Sequence, residues 1–320
     1  MQSFSAATDH RRPRLLVVEL WGVGDVALAM PFVQLAARHA RVTLLAKPHA
    51  GPLLRRFCPE VELVPFIAPW TAFLGKYQLH CWPWPELSAL LHGLRHQRFA
   101  AAVSARPDPR DHLLMSLAGA SVRMGFPRAG SNVLLTDPLA RPSIPHRAAY
   151  WQALATHIGW SLPPIETQKS KTQNHVVIHA GAARPTRQWG REHFEEIATR
   201  LRNEGWRVSV LDENSGNLME LLETLATADR FIGNDSGPGH LAALLGVPTF
   251  SIFGAQLAAN FHPVHPQAAW IDGAPCPHKP CHDYCRFSEP HCIRGVTVDD
   301  TWSRIAAWLR QADQAPSTVR

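Results

Sequence analysis

The sequence lacks the features that would place it across a membrane or on a nucleic acid. No apolar run in its 320 residues approaches the ~18 residues of a membrane-spanning helix, and no nucleic-acid-binding motif occurs. Arg11 and Arg12 form an arginine pair, but Glu19 and Asp25 interrupt the apolar run that follows, and no small-residue cleavage site follows it. We interpret residues 1–13 as a flexible tail and expect a cytoplasmic protein whose membrane contact, if any, is peripheral.

A short-period internal repeat is also absent, so the two halves are interpreted as separate globular units. The length and the 46% hydrophobic content suit two domains of roughly 150 residues, each able to bury a core. Pro138, Pro142 and Pro145 interrupt regular structure between them. We predict an N-terminal domain at 14–147 and a C-terminal domain at 148–320.

Acidic residues are scarce in the N-terminal half. Residues 1–150 hold 17 Lys and Arg against 9 Asp and Glu, a net charge of +8, whereas residues 151–320 hold 15 against 17, a net charge of −2. The N-terminal half is therefore the better candidate to face an anionic membrane or a phosphorylated acceptor. A merely solvated basic surface is the alternative.

Residues 65–85, the aromatic loop, lack the periodicity of a helix or a strand. They contain four prolines together with six aromatic residues: Phe66, Trp70, Phe73, Tyr77, Trp82 and Trp84. Such a loop either exposes its aromatic side chains to an acceptor or a bilayer interface, or packs against its own domain.

The N-terminal half begins with a predicted strand, turn, helix and second strand. Residues 15–20 predict a buried strand, 21–25 a tight turn, 26–40 an apolar helix and 42–46 a second strand. Asp25 lies at the first turn of the helix, where the helix dipole stabilises its anion. Either a catalytic carboxylate or a plain helix cap fits that position.

The C-terminal half is organised around residues 231–254. They predict a short strand, a polar glycine-rich turn, an apolar helix and a second strand, the order of a parallel α/β unit. At such a turn the unpaired backbone N–H groups and the helix dipole favour an anion. Ser236 and Gly237 let the backbone approach a phosphate, Asp235 suits sugar hydroxyls, and His240 lies on the first helical turn.

The order Asn-Asp-Ser-Gly-Pro-Gly-His-Leu-Ala-Ala at 234–243, then Gly-Val-Pro-Thr at 246–249 and Ile-Phe-Gly at 252–254, resembles the donor-site signature of glycosyltransferase family nine, the bacterial heptosyltransferases. The resemblance implies an α/β fold of two Rossmann-like domains facing a central cleft, the GT-B fold. It also implies inverting transfer of a heptose or related sugar from an ADP-sugar to a hydroxyl of a lipopolysaccharide-core acceptor, with no cofactor required for catalysis. A protein O-heptosyltransferase, a nucleotide-sugar epimerase on the same fold and a non-catalytic nucleotide-sugar-binding protein are the alternatives.

The resemblance assigns roles to residues outside that signature. Gly24-Asp25 matches the family's acceptor-side motif and makes Asp25 the candidate general base, although Glu19 stands where the family has a basic or polar residue. The segment 180–189 resembles the family's donor loop, in which Arg187 stands for a lysine that neutralises the diphosphate, and Arg184 is a second candidate. The alternative for both arginines is a surface charge.

One expected element is missing from the C-terminal half. A strand is predicted at 206–211, and the helix leading to the signature already begins at 217, where a family member has another helix and strand. Asp212 or Glu213, at the end of that strand, is a candidate for the ribose hydroxyls. The missing unit removes part of the expected nucleobase wall.

Four of the six cysteines lie in residues 276–292: Cys276, Cys281, Cys285 and Cys292, with three histidines between them. The spacing is not that of a zinc ribbon, and a structural zinc or iron, free thiols and disulfides all remain open. Any metal would be structural. A terminal helix at 299–311 follows, with an apolar side of helical periodicity.

Overall fold

The computed structural model describes residues 12–168 and 174–314, with side chains up to residue 311. The chain forms two compact units, the first ending at Pro163 and the second beginning at Pro164. The predicted tail at 1–13 lies outside the described residues except for its last two. The predicted boundary after residue 147 falls too early, because the helix that begins there packs in the first unit.

The first unit contains a six-stranded parallel sheet in the order β3-β2-β1-β4-β5-β6. Its central strands are aliphatic and buried over nearly their whole length, the pattern of parallel strands that are covered on both faces. The strands are β1 (Arg14–Glu19), β2 (Arg41–Ala46), β3 (Glu62–Pro65), β4 (Ala101–Ser104), β5 (Val122–Gly125) and β6 (Asp137–Pro138).

Five helices connect or cover this sheet. They are α1 (Val23–His39), α2 (Ala50–Phe57), α3 (Trp84–His96), α4 (Pro109–Leu117) and α5 (Arg147–Ile158). The last of them packs on the first through Phe32, whose ring centroid lies 5.2 Å from that of Trp151. This contact is the reason that α5 belongs to the first unit.

The second unit contains a five-stranded parallel sheet in the order β11-β10-β9-β7-β8. Its strands are β7 (His175–His179), β8 (Arg207–Leu211), β9 (Arg230–Asn234), β10 (Thr249–Phe253) and β11 (Ala269–Asp272). Its helices are α6 (Arg191–Asn203), α7 (Leu218–Leu225), α8 (Gly237–Leu244), α9 (Ala258–Phe261), α10 (His291–Arg294) and α11 (Val298–Gln314). The predicted absence of a βα unit is confirmed, since only residues 212–217 separate β8 from α7.

Both sheets reverse their strand order at one place, and polar residues follow the strands there. In the first unit the reversal lies between β1 and β4, and in the second between β7 and β9. Ligands of open parallel α/β sheets bind beyond the carboxyl ends of the strands at such a point. None of the helices in the described ranges is long and apolar enough to cross a membrane.

Candidate functional site

Asp25 stands beyond the carboxyl end of β1, in the first turn of α1. Its Oδ2 accepts a hydrogen bond of 3.2 Å from the backbone N–H of Gly22, so the carboxylate caps the helix as one of the two interpretations predicted. Its Oδ1 forms an ion pair with Nη2 of Arg106, which follows β4. The guanidinium of Arg106 also lies over the ring of Trp21, 4.5 Å from its centroid. The cap is therefore compatible with a chemical role for the other carboxylate oxygen.

Glu19, the last residue of β1, is a second carboxylate next to Asp25. Its side chain is 1% exposed, and its Oε1 accepts a hydrogen bond of 3.3 Å from the backbone N–H of Trp21. Burial and then the negative charge of Asp25 raise the pKa of Glu19 from 4.5 to about 7, against the opposing charges of Arg106 and Arg147. Glu19 is thus a proton-binding group near neutral pH.

Further charged groups converge on the same end of the first sheet. Burial lowers the pKa of Arg147, at the start of α5, to about 10, and burial also lowers the pKa of Lys47, which follows β2. Asp111 of α4 is fully buried, and its carboxylate accepts hydrogen bonds from Nε1 of Trp70 and Oγ of Ser104. Burial raises the pKa of Asp111 to about 8. The first unit therefore holds buried acids that favour the neutral form beside half-buried cations.

The aromatic loop, residues 65–85, packs against its own domain with some of its side chains and exposes others, so each of the two predicted interpretations describes part of it. Phe66 and Trp70 are buried in the core, and the ring centroids of Trp70 and Trp82 lie 5.5 Å apart. Leu74 and Tyr77, in contrast, point into solvent and are each 78% exposed. Ile67, Leu79 and Trp84 are also exposed. The loop is anchored by one set of side chains and presents an apolar surface with the other.

In the second unit the glycine-rich turn lies between β9 and α8, as predicted. Ser236 is the residue before the helix, but its hydroxyl donates to the carbonyl of Asn234 at 3.3 Å and makes no capping hydrogen bond. Gly237 is the first helical residue, and His240 lies buried in the first turn. The Asp235 side chain is 3% exposed. The structure thus brings together four of the predicted donor-binding residues.

Asn234 fixes the loop that follows β7, residues 180–190, against β9. Its Oδ1 accepts from the backbone N–H of Trp189 at 3.1 Å, and its Nδ2 donates to the carbonyl of Ala180 at 2.7 Å. Because Asn234 is fully buried, both hydrogen bonds are shielded from water. This residue positions the predicted donor loop beside the glycine-rich turn.

Arg187 of this loop lies beside the turn, and it is already paired with carboxylates. Its Nε and Nη2 donate to the two carboxylate oxygens of Asp283 at 2.8 and 2.7 Å, and its Nη1 lies 3.5 Å from Oδ2 of Asp235. Arg184 contributes positive charge to Asp283 from the same loop. The alternative of a simple surface charge therefore does not describe Arg187.

Glu213 follows β8 at the edge of the sheet, with an exposed side chain. It lies against Gly181 of the β7 loop, where a Cβ would come within 2.2 Å of the carboxylate and 2.9 Å of the backbone nitrogen of Glu213. Glycine is required there for this close approach. Asp212 instead pairs with Arg191 at 2.5 Å and accepts from Ser215, so its carboxylate is engaged in a surface network.

The four cysteines of residues 276–292 line one small pocket, together with His278 and His291. All four are free thiols, and no group of three or more His, Cys, Asp or Glu side chains within the described ranges is arranged to hold a metal ion. The tentative structural metal at this cluster is thus not supported by the geometry of the thiols.

Several residues of these sites escaped prediction because their signal lies in the fold. Arg106, Arg147 and Asp283 are distant in sequence from the motifs they approach, and each stands in an irregular segment or at a helix start. Only the strand order brings Arg106 to Asp25. Glu19 had a signal, a lone acid ending a buried strand, and its role as a proton-binding group was missed.

Comparison with known proteins identifies a family model that matches part of the second unit, one curated relative in sequence, and solved structures that match most of the chain in fold. Residues 215–290 match the family model of glycosyltransferase family 9 (heptosyltransferase). Lipopolysaccharide heptosyltransferase 1 of Pseudomonas aeruginosa is 31% identical in an alignment of 101 residues, and the match covers 25% of this chain and 28% of that protein. The chain thus matches little more than a quarter of that relative's length. The resemblance predicted from the sequence is confirmed for this segment.

Among the solved structures that share the fold are two E. coli enzymes and one from Veillonella parvula. A family 9 glycosyl transferase from Veillonella parvula superposes with a TM-score of 0.71 at 15% identity, over 93% of this chain and 98% of that one. The E. coli heptosyltransferase WaaC with ADP gives 0.70 at 15% identity, over 92% and 99%. The iron-containing dodecameric glycosyltransferase TibC of E. coli gives 0.57 at 15% identity, over 94% and 77%. The predicted fold class, α/β with two Rossmann-like units of the GT-B type, is confirmed.

Proposed function

Because residues 215–290 match the family model of glycosyltransferase family 9, we propose that this protein is an inverting glycosyltransferase of the heptosyltransferase type. Its donor is an ADP-sugar carrying a heptose or a related sugar, and its acceptor is a hydroxyl of the lipopolysaccharide core. The observation that carries the proposal is the glycine-rich turn at the start of α8, which lies within the matched segment and beside Arg187 and Asp235.

The second unit supplies the groups for the donor. The start of α8 offers backbone N–H groups and the positive end of the helix dipole to the diphosphate, and Ser236 and Gly237 leave room for it. Arg187 adds a guanidinium, whose planar fork matches phosphate oxygens, with Arg184 nearby. Asp235 accepts from sugar hydroxyls, His240 lines the turn, and Glu213 takes the ribose.

The first unit supplies the acceptor side, with Asp25 as the general base. In an inverting transfer the acceptor oxygen forms a bond to the anomeric carbon while the bond to the diphosphate oxygen breaks, and ADP departs with that electron pair. The acceptor proton goes to the carboxylate of Asp25, whose orientation is set by the Gly22 N–H and by Arg106. The donor site's positive charge stabilises the departing diphosphate. No metal takes part in these steps.

The acceptor class is an acidic glycolipid, met at the surface of an anionic membrane. Two features of the first unit support this: the net charge of +8 over residues 1–150 and the exposed apolar side of the aromatic loop. No acidic residue occurs between Glu62 and Glu86, so nothing in the loop repels an anionic surface. The contact is peripheral, at a loop between β3 and α3.

One observation favours a second candidate, a non-catalytic nucleotide-sugar-binding protein. The second sheet ends at β8, and the chain passes from it directly to α7, so the nucleobase side of the site has fewer elements to enclose a ligand. Such a protein would bind the donor and turn nothing over.

Incubating the purified protein with ADP-heptose, with and without a lipopolysaccharide-core acceptor, tests the proposal. We expect ADP release that depends on the acceptor, and a matching increase in acceptor mass. Binding of ADP-heptose with no turnover on lipid or protein acceptors would identify the non-catalytic alternative. A protein that binds neither ADP nor ADP-heptose contradicts both.

A further inference from the structure

The cysteine-rich segment, residues 276–292, reaches into the proposed donor site through one carboxylate. Asp283 accepts from Nε and Nη2 of Arg187 in a bidentate pair at 2.8 and 2.7 Å, and from the hydroxyl of Thr186 at 3.0 Å. Its side chain is only 11% exposed. Three donors of the β7 loop therefore converge on a carboxylate that lies almost a hundred residues away in sequence.

The backbone around Asp283 is shaped to deliver this side chain. Asp283 and the preceding His282 both have positive φ angles, 69° and 50°, a conformation that costs a side-chain-bearing residue about 1 kcal/mol or more. The backbone N–H of Tyr284 closes the turn on the carbonyl of Cys281 at 3.0 Å. Burial raises the pKa of Asp283, but the hydrogen bonds and charge of Arg187 outweigh it, so the net pKa is lowered and the carboxylate stays ionised.

The residues that directly follow the segment pack against the same loop. Trp189 donates through Nε1 to the carbonyl of Val296 at 2.7 Å, just beyond the segment. At Gly254, which directly follows β10, a Cβ would lie 2.6 Å from the carbonyl oxygen of Thr186 and 2.8 Å from Cβ of Ile293 in α10. The β7 loop, the residue after β10 and α10 are thus close neighbours, and Asp283 reaches the same loop from the cysteine-rich segment.

We propose that Asp283 is a positioning residue for the donor diphosphate, which it serves by holding the guanidinium of Arg187 in one orientation. Because it occupies Nε and one edge of Nη2, the Nη1 side of the fork is directed toward Asp235 and the glycine-rich turn. An arginine fixed in this way loses little side-chain entropy when the donor binds. The inference rests on the proposed function, since it assumes that the ligand of Arg187 is the diphosphate of an ADP-sugar.

The test is a double-mutant cycle read by calorimetric titration with ADP. Asp283→Ala is expected to weaken ADP binding about tenfold, and Asp283→Asn, which keeps one acceptor oxygen, should lose less. Arg187→Lys keeps the charge but cannot form the fork. In that background Asp283→Ala should therefore add less than about a twofold loss, because the two residues act as one unit.

The exposed ion pair of Glu289 and Arg294 offers a matched control on the same segment. Glu289→Gln removes an exposed carboxylate–arginine contact and should leave both the ADP affinity and the melting temperature unchanged. In the transfer reaction Asp283→Ala should raise the KM for the donor more than it lowers kcat, a split that a general loss of structure would not produce.

The outcomes separate the inference from the function. Additive losses in the cycle, unchanged ADP affinity in Asp283→Ala, or tighter ADP binding in Asp283→Asn would each overturn the positioning role while the unaltered protein still binds ADP. A failure of the unaltered protein to bind ADP would overturn the proposed donor and the inference together.

Discussion

The two units repeat one plan with different strand counts. The first sheet has the strand order of a six-stranded dinucleotide-binding fold, whereas the second lacks one strand and adopts the order of a five-stranded flavodoxin-like sheet. In both sheets the strand order reverses beside the first strand, between β1 and β4 in the first unit and between β7 and β9 in the second. In both units, proposed site residues follow those two strands. The second sheet thus lacks an outer βα unit between β8 and α7, and its proposed site residues still follow β7 and β9.

The two sites also treat carboxylates in opposite ways. Glu19 and Asp111 in the first unit are buried without a hydrogen-bonded cation, so burial dominates and raises their pKa values to about 7 and about 8. Asp283 in the second unit is also largely buried, but its bidentate arginine overcomes burial and lowers its pKa. The first unit is thereby suited to holding a proton and the second to holding charges in fixed positions.

The largest expected effect follows from removing the proposed base of the first unit. Asp25→Ala should lower turnover by about 100-fold or more, the scale of lost general base catalysis, while ADP affinity stays the same because the donor groups lie in the second unit. Steady-state kinetics and ADP titration on the same preparation measure both quantities.

A cap on the second unit provides the control for this substitution. Asn217 caps α7 by accepting from the backbone N–H groups of Met219 and Glu220, so Asn217→Ala removes a helix cap without touching either site. If Asp25 only caps α1, the two variants should show similar small losses of stability and similar turnover. That similarity would exclude the catalytic role.

The second effect distinguishes buried neutral acids from paired ones by their dependence on pH. The folded pKa of Glu19 is raised, so its contribution to stability is fully present below its ordinary pKa of 4.5 and is lost as the pH rises through about 7. Glu19→Gln, which cannot ionise, should therefore be more stable than the unaltered protein above pH 7, by on the order of 3 kcal/mol. This advantage should vanish toward pH 4.5.

Urea unfolding across this pH range measures the difference, and several groups share in it. Asp25 of α1, Arg106 after β4, Arg147 of α5 and Asp111 of α4 all act electrostatically on Glu19 or are acted on by it. An exposed glutamate of the second unit, replaced in Glu204→Gln, should show no such trend. A stability advantage of Glu19→Gln that is independent of pH would mean that the gain comes from packing.

Sequence reasoning succeeded where the signal was local. The strand, turn and helix around Asp235 follow from apolar runs and glycine spacing, and the helix start at Asp25 follows from the turn before it. The missing βα unit could be read from the short distance between residues 211 and 218. The ion pair of Arg106 with Asp25 could not, because it depends on which strand lies beside β1, and that choice is made by packing of the whole sheet.

A third expected effect concerns the apolar side of the aromatic loop. No described loop of the second unit exposes as many large apolar side chains. The double substitution Leu74→Ser and Leu79→Ser should reduce co-sedimentation with anionic lipid vesicles about tenfold, because burying each exposed leucine in the bilayer interface stabilises the bound state. Binding by the unaltered protein should weaken with salt.

Two exposed apolar residues elsewhere in the first unit serve as controls for the loop. Val133→Ser and Ile144→Ser remove side chains that are 80% and 63% exposed, and they should leave vesicle binding unchanged. Equal losses in both pairs would show that any exposed apolar side chain contributes, and absent binding by the unaltered protein would contradict peripheral membrane contact.

The smallest expected effect compares the cysteines of the two units. Cys81 of the first unit is exposed and should be alkylated first, without change in ADP affinity, whereas burial raises the pKa of Cys58 to about 12 and should make it the slowest. Alkylation of Cys281 and Cys285, which flank Asp283, should weaken ADP binding by a few-fold, since the added groups disturb the turn that holds Arg187. Peptide mass mapping assigns each modified thiol, and Cys281→Ser with Cys285→Ser should remove the effect.

Elemental analysis of the same preparation, purified without chelator, supplies the contradicting outcome. About one equivalent of zinc or iron, with four protected thiols, would mean that these side chains rearrange around an ion. The segment would then owe its shape to metal ligation as well as to the contact between Asp283 and Arg187.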